Sequence, residues 1–171
     1  RYFETLGEDK SVTFSQVANV WQHVVCTKDN ADNKMRIYKD GVLQATSAAF
    51  TDFSDLTEPT IELGIGTGAT YFKGLMRNFR VYNKALSPAE ITQLANNEDV
   101  RDQLILHWNL NGDANDSVNA NNGTVTGAIF KHDGDTMTNT INTTRVNANS
   151  KYYFVPLKGS NSVLFTHIEE A

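Results

Sequence analysis

The chain has 171 residues, 40% hydrophobic and 20% charged, which is enough for one domain with a buried core. A net charge of −5 excludes the concentrated basic surface that a nucleic-acid binder needs. No apolar run approaches a membrane span, so membrane insertion is not expected.

The opening Arg1-Tyr2-Phe3-Glu4 has no initiator Met and no apolar signal core, which predicts a piece of a longer or processed protein. Val12 and Phe14 begin a first predicted strand that runs towards Val20. Trp21–Lys28, rich in Val and aromatics, predicts a second. Cys26 lies within it as the single cysteine, which excludes an intrachain disulfide and a cysteine metal site and predicts a buried packing residue. After the polar turn 29–33, Met35–Lys39 and Val42–Thr46 flank Asp40-Gly41. That pair predicts a hairpin with a type I′ turn, because both central residues must take positive φ.

A looser stretch, 47–59, precedes a predicted strand at Thr60–Leu63. The glycines of Gly64-Ile-Gly-Thr-Gly68 do not fit the dinucleotide spacing, and no helix follows to receive a phosphate. A turn between two strands is predicted instead. Phe72–Tyr82 then predicts a strand, with Leu75, Phe79 and Val81 on one face and Asn78, Arg80 and Tyr82 on the other. Ser87-Pro-Ala-Glu90 is a capping box with proline at the first helical position, so one short helix is predicted near 87–96.

Leu104–Leu110 restarts the pattern as a buried-strand candidate. Residues 111–127 are dense in Asn, Asp and Gly, and 131–149 are polar and threonine-rich. Lys151–Val155 and Ser162–His167 predict two further strands. Roughly ten short strands, separated by turns and joined by a single helix, specify an all-β sandwich.

Several of these stretches resemble the laminin G-like modules of the concanavalin A-like lectin/glucanase superfamily. They are Trp21-Gln-His-Val-Val25, Ile37-Tyr-Lys-Asp-Gly-Val-Leu43, Ile61-Glu-Leu-Gly64, Phe72-Lys-Gly74 and Arg80-Val-Tyr-Asn-Lys-Ala-Leu-Ser87. The resemblance covers about residues 12 to 97 and implies a jelly-roll β-sandwich of two antiparallel sheets. His107–Ser117 followed by Asn122–Gly127 resembles the opening of such a module, although it comes after the closing motif. Residues 1–98 thus look like the C-terminal part of a module and 104–171 like an N-terminal part.

Two tandem modules cut out of register could produce this order, as could one circularly permuted module spanning 1–171. The permuted single domain is preferred, because each fragment alone would leave strand edges uncovered. A domain-swapped dimer, in which two chains exchange halves, is the alternative.

The oxygen-rich tract Asn111, Asp113, Asn115, Asp116 is a candidate metal site, since calcium takes carboxylate and carbonyl oxygens from flexible loops. The resemblance implies Ca2+ near this opening motif. Asn111, however, stands where relatives often carry Asp, and Arg77 where the closing strand often carries Asp. Asn78, Arg80 and Tyr82 form the candidate ligand-binding face, with aromatic and amide groups suited to a sugar. Trp21 and Trp108 could stack on a sugar, but both sit in apolar strands and are expected in the core.

The four histidines, His23, His107, His132 and His167, show no metal-ligand spacing, and no nucleophile elbow is visible. No strand carries the alternating acids of a glucanase, such as Glu-x-Asp-x-x-Glu, so no catalytic residues and no enzyme activity are expected. Asn115, Asn122 and Asn142 head N-glycosylation patterns that Asn- and Thr-rich chains also produce by chance.

The resemblance implies a non-catalytic carbohydrate-binding or adhesion module. It would be extracellular, on a cell surface or on a virus particle, with a glycan or a cell-surface or matrix protein as partner. A structural or protein–protein interaction module without a sugar site is the alternative, and a glycoside hydrolase the remotest one.

Overall fold

The computed structural model describes residues 2–5, 8–49, 61–66, 70–130 and 161–170. The strand expected at 151–155, the polar tract 131–149, His132 and Asn142 lie outside the described residues. Among the described residues, eleven strands and one helix follow in order: β1 (Tyr2–Thr5), β2 (Glu8–Thr13), β3 (Gln22–Asp29), β4 (Lys34–Lys39), β5 (Val42–Thr46), β6 (Ile65–Gly66), β7 (Thr70–Tyr71), β8 (Gly74–Met76), β9 (Phe79–Tyr82), α1 (Pro88–Ala95), β10 (Leu104–Trp108) and β11 (Asn161–Glu170).

The main sheet is antiparallel and seven-stranded, ordered β10-β9-β11-β3-β4-β5, with β8 also paired to β11. β1–β2 and β6–β7 form separate antiparallel pairs. This is an all-β architecture with one short helix, as the sequence predicted.

The sheet is buried on both faces, and strand alternation explains the division. Val24 and Cys26 of β3, Met35 and Ile37 of β4, Phe79 and Val81 of β9 and Leu106 of β10 face one side. There they form a cluster with Val12, against which Phe14, Ile61, Leu63, Phe72 and Leu110 pack. That cluster is the larger of the two cores. The other side presents Val25, Tyr38 and Tyr82, which pack under Leu86, Ile91, Leu94 and Val100. Full burial of each such side chain contributes about 1.5–3 kcal/mol, so α1 is held by its Ile91 and Leu94 rather than by helix propensity.

Two local signals hold as expected. Asp40 (φ 51°) and Gly41 (φ 81°) take the two left-handed positions of the hairpin turn. A Cβ at Gly41 would come within 3.3 Å of the Ala95 Cβ, so α1 seats directly on the turn. Ser87 caps α1: its Oγ accepts from the Glu90 N–H at 3.3 Å, and the Glu90 carboxylate accepts from the Ser87 N–H at 2.9 Å. Replacing Ser87 by Ala is expected to cost about 1 kcal/mol, read as a lower denaturant midpoint at unchanged slope.

Three expectations are corrected. The long strand over Phe72–Tyr82 is broken into β8 and β9, because Asn78 takes φ 53° and no regular ladder continues through a left-handed residue. The strand expected from Val12 to Val20 ends at Thr13. Residues 61–63 form no strand, although Ile61 and Leu63 still reach the core. The glycine-rich stretch does separate two strands, with Ile65 opposite Tyr71.

Strands from both sides of the 96–103 link share the main sheet. β10 pairs antiparallel with β9, from Leu104 opposite Tyr82 to Trp108 opposite Phe79. β11 lies between β9 and β3, with Val163 opposite both Val81 and Cys26. Gln103 in the link takes φ 59°, and its carbonyl accepts from the Asn83 N–H at 2.8 Å. The link thus turns the chain directly back along β9.

Candidate functional site

The polar tract after β10 is tied to the edge of that strand. Asp116 Oδ1 accepts from the backbone N–H groups of His107 and Val118, both at 3.0 Å, and Oδ2 accepts from Asn121 N–H at 3.3 Å. The Ser117 N–H donates to the His107 carbonyl at 2.9 Å, and Asn119 Nδ2 donates to the Ile105 carbonyl at 2.7 Å. These groups satisfy the outward edge of β10, which would otherwise offer an open ladder to another chain. Partial burial pushes the Asp116 carboxyl up, but the amides of His107, Val118, Asn121 and Asn119 outweigh it and hold the group below the usual carboxylate range.

Two of the candidate metal ligands, Asp113 and Asp116, accept hydrogen bonds from nearby donors. Asp113 caps its own turn, accepting from Asn115 N–H at 3.0 Å and from Asn115 Nδ2 at 2.8 Å. Asp116 is committed to backbone amides, and Asn111 is exposed at the start of the turn. Among the described residues no group of three His, Cys, Asp or Glu side chains is placed to hold a metal ion. The hydrogen bonds of Asp116 cap the edge of β10.

The candidate binding face Asn78, Arg80, Tyr82 is not a solvent face. Tyr82 is fully buried beneath α1, and its hydroxyl donates to the Val100 carbonyl at 2.8 Å. Arg80 is mostly covered and pairs with Asp99 at 3.5 Å. The alternation of the strand was read correctly, but the helix and link that follow it cover the polar side. Only Asn78, at the break before β9, reaches the rim of the sheet, where its N–H donates to the Asn109 carbonyl at 3.0 Å.

At that rim two residues that the sequence named separately, Arg77 and Trp21, come together. The Arg77 guanidinium carbon sits 4.8 Å from the centroid of the Trp21 ring, a cation–π stack. Trp21 belongs to neither buried cluster and is half-exposed at the entry to β3. Asn109 is exposed, and Leu110 takes φ 58°, a costly conformation for a branched residue. The available signals were positional: a tryptophan first in its strand, just after a turn, and an Arg-Asn pair where the alternation falters. Trp108, in contrast, lies between Phe79 at 5.4 Å between centroids and Gly123, and its indole N–H donates to the Asn121 carbonyl at 2.8 Å.

His107 lies opposite Arg80 in the β9–β10 pair, with its Nδ1 3.0 Å from Ser117 Oγ. Its Nε2 is buried without a hydrogen-bond partner among the described residues. Desolvation and the Arg80 charge, with a smaller effect from Arg101, lower its pKa against the opposing pull of Asp99 and Asp116. A histidine whose folded pKa lies below its unfolded value binds fewer protons when folded. Its stabilising contribution is present above about pH 6.5 and is lost as pH falls towards the folded pKa. Melting temperature is expected to begin falling below about pH 6.5, before the carboxylates titrate, and His107→Gln should flatten that first step.

Comparison with known proteins gives one family match. A laminin G model, described as the concanavalin A-like lectin/glucanases superfamily, matches residues 4–92, slightly more than half of the chain. No curated protein and no solved structure matches. The matched span runs from β1 into α1 and holds both the hairpin and the capped helix. Together with the antiparallel sheets and sandwich core, it shows that the chain belongs to the concanavalin A-like lectin/glucanase superfamily as a laminin G-like protein.

Proposed function

We propose that the protein is a non-catalytic carbohydrate-binding or adhesion module that works outside the cell, on a cell surface or on a virus particle. The observation that carries this reading is the Arg77–Trp21 stack beside Asn78 and Asn109. Sugars offer apolar ring faces edged by hydroxyls, and an aromatic ring flanked by guanidinium and amide groups complements both.

The reading gives no role to hydrolysis. Glycoside cleavage needs two carboxyl groups flanking one bond. Asp99 and Asp102 are in ion pairs, as is Glu90, while Asp113 and Asp116 cap backbone amides. The pairing of β10 with β9 supports a single, circularly permuted module over 1–171. No helix among the described residues is long and apolar enough to cross a membrane.

A protein-adhesion role without a sugar site is the second reading, favoured by the exposed Val42 and Leu43 on the edge strand β5. A glycan array separates the two. Wild-type protein should bind at least one glycan class, and Asn109→Ala should weaken it by about tenfold at unchanged melting temperature, while Arg77→Ala should weaken it and also lower stability by about 1 kcal/mol, the contribution of its stack on Trp21. No glycan bound by wild-type protein would sink the carbohydrate reading. Release of polysaccharide fragments would overturn the non-catalytic one.

A further inference from the structure

Two of the asparagines that head an Asn-x-Ser/Thr pattern, Asn115 and Asn122, lie among the described residues, both in the loop after β10. The pattern alone recurs by chance, but the fold treats the two side chains differently. We propose that Asn122, in Asn122-Gly123-Thr124, is a site of N-glycosylation and that Asn115 is the poorer acceptor. This modification rests on the extracellular reading, since the sugar donor meets only chains that enter a secretory route, and it needs no sugar-binding site.

The co-reactant is an oligosaccharide carried on a polyisoprenyl pyrophosphate. The Asn122 Nδ2 forms a bond to C1 of the first sugar, and the bond from C1 to the pyrophosphate oxygen breaks. The lipid pyrophosphate leaves with the electron pair, and Nδ2 gives one of its two protons to a base of the transferase. Oδ1 is untouched.

Asn122 is exposed, and its Oδ1 accepts from the Asp116 N–H at 2.9 Å. Its Nδ2 makes no hydrogen bond among the described residues, so a sugar on that nitrogen leaves the existing contact in place. The backbone on both sides is held. The Asn121 carbonyl accepts from the Trp108 indole N–H at 2.8 Å, and the Gly123 N–H donates to the Ala114 carbonyl at 2.9 Å. Thr124, whose hydroxyl completes the pattern, is exposed.

At Asn115 the fold uses the nitrogen instead. Nδ2 donates to Asp113 Oδ2 at 2.8 Å, which sets a carboxylate against the atom that a sugar would take. The hydroxyl of its third residue, Ser117, lies 3.0 Å from His107 Nδ1 and 3.2 Å from the His107 carbonyl. A glycan at Asn122 would stand on the loop that covers the outer edge of β10, adding bulk and hydration where an open ladder invites a second strand.

The test sends the full chain, behind a cleavable signal sequence, through a eukaryotic secretory host that keeps its glycans oligomannose. An endoglycosidase that leaves one N-acetylglucosamine on each occupied asparagine marks the sites for peptide mass spectrometry. Asn122 should carry this tag in most secreted chains. Asn115 should carry it about fivefold less often, because modification there disturbs a hydrogen bond to a charged acceptor and weakened chains are retained. Thr124→Ala should abolish the tag at 122, scored in retained chains as well, so that a folding failure does not hide the result. An untagged Asn122, a tag at 122 that survives Thr124→Ala, or equal occupancy of the two sites in secreted chains overturns the inference. The host supplies the secretory route and glycan-array binding is read on unglycosylated protein, so failure here and failure of the proposed function are separate results.

Discussion

Replacing Tyr82 by Ala is expected to lower stability by about 3–5 kcal/mol, the cost of removing a fully buried aromatic ring from a packed site. The ring lies between the sheet and α1, touching the cluster of Val25, Tyr38, Leu86, Ile91, Leu94 and Val100. Its hydroxyl also pins the chain just after the helix, through the Val100 carbonyl. Tyr82→Phe keeps the ring and should cost only about 1 kcal/mol, leaving one carbonyl unmatched. Denaturant unfolding of both variants checks the ratio. If Tyr82 instead contacted ligand, Tyr82→Ala would weaken binding and leave the unfolding midpoint in place.

Asp116→Ala should cost about 2–3 kcal/mol, since one charged acceptor serves several backbone amides and the His107 N–H is partly buried. Asp116→Asn should fall between, because its side chain keeps one acceptor oxygen but replaces the other by a donor. The decisive comparison uses wild-type protein with and without a chelator. An edge cap leaves its melting temperature unchanged, whereas a metal site would make chelated wild-type protein as unstable as Asp116→Ala. The variant should also aggregate more readily, as β10 loses the groups that cover its open edge.

Acid should act on the same region in two stages. His107 is the first to lose its favourable environment, below about pH 6.5. Asp99, whose pKa is lowered chiefly by its hydrogen bond to Arg101, and Asp116 contribute stability above the ordinary carboxylate range that is lost as pH falls through their folded values.

Local features were legible wherever a few adjacent residues decide the outcome. Asp40-Gly41 specified its turn because two left-handed positions in succession admit few residue pairs. Ser87-Pro-Ala-Glu90 specified the start of the helix because both capping bonds form within four residues. The alternation of Phe79 and Val81 against Arg80 and Tyr82 was equally readable. Its meaning was not, since alternation separates two faces without saying what covers each. Tyr82 looked solvent-facing until α1 and the 96–103 link closed over it.

The Asp-rich tract carried a similar ambiguity. Carboxylates and amides that suit a cation suit backbone N–H groups equally well, and only the position of β10 showed which partners Asp116 takes. Arg77 and Trp21 lie too far apart in the chain for any sequence pattern to join them. Folding brings them to one rim.

By itself, then, the amino-acid order determined strand propensity, one turn type, one capped helix and the laminin G-like resemblance, all properties of short range. Tertiary structure decided that β11 enters between β9 and β3, that the polar face of β9 is roofed, and that the stretch after β10 seals an edge. Those outcomes depend on pairings between distant segments, whose energies come from burial and from backbone groups common to every residue.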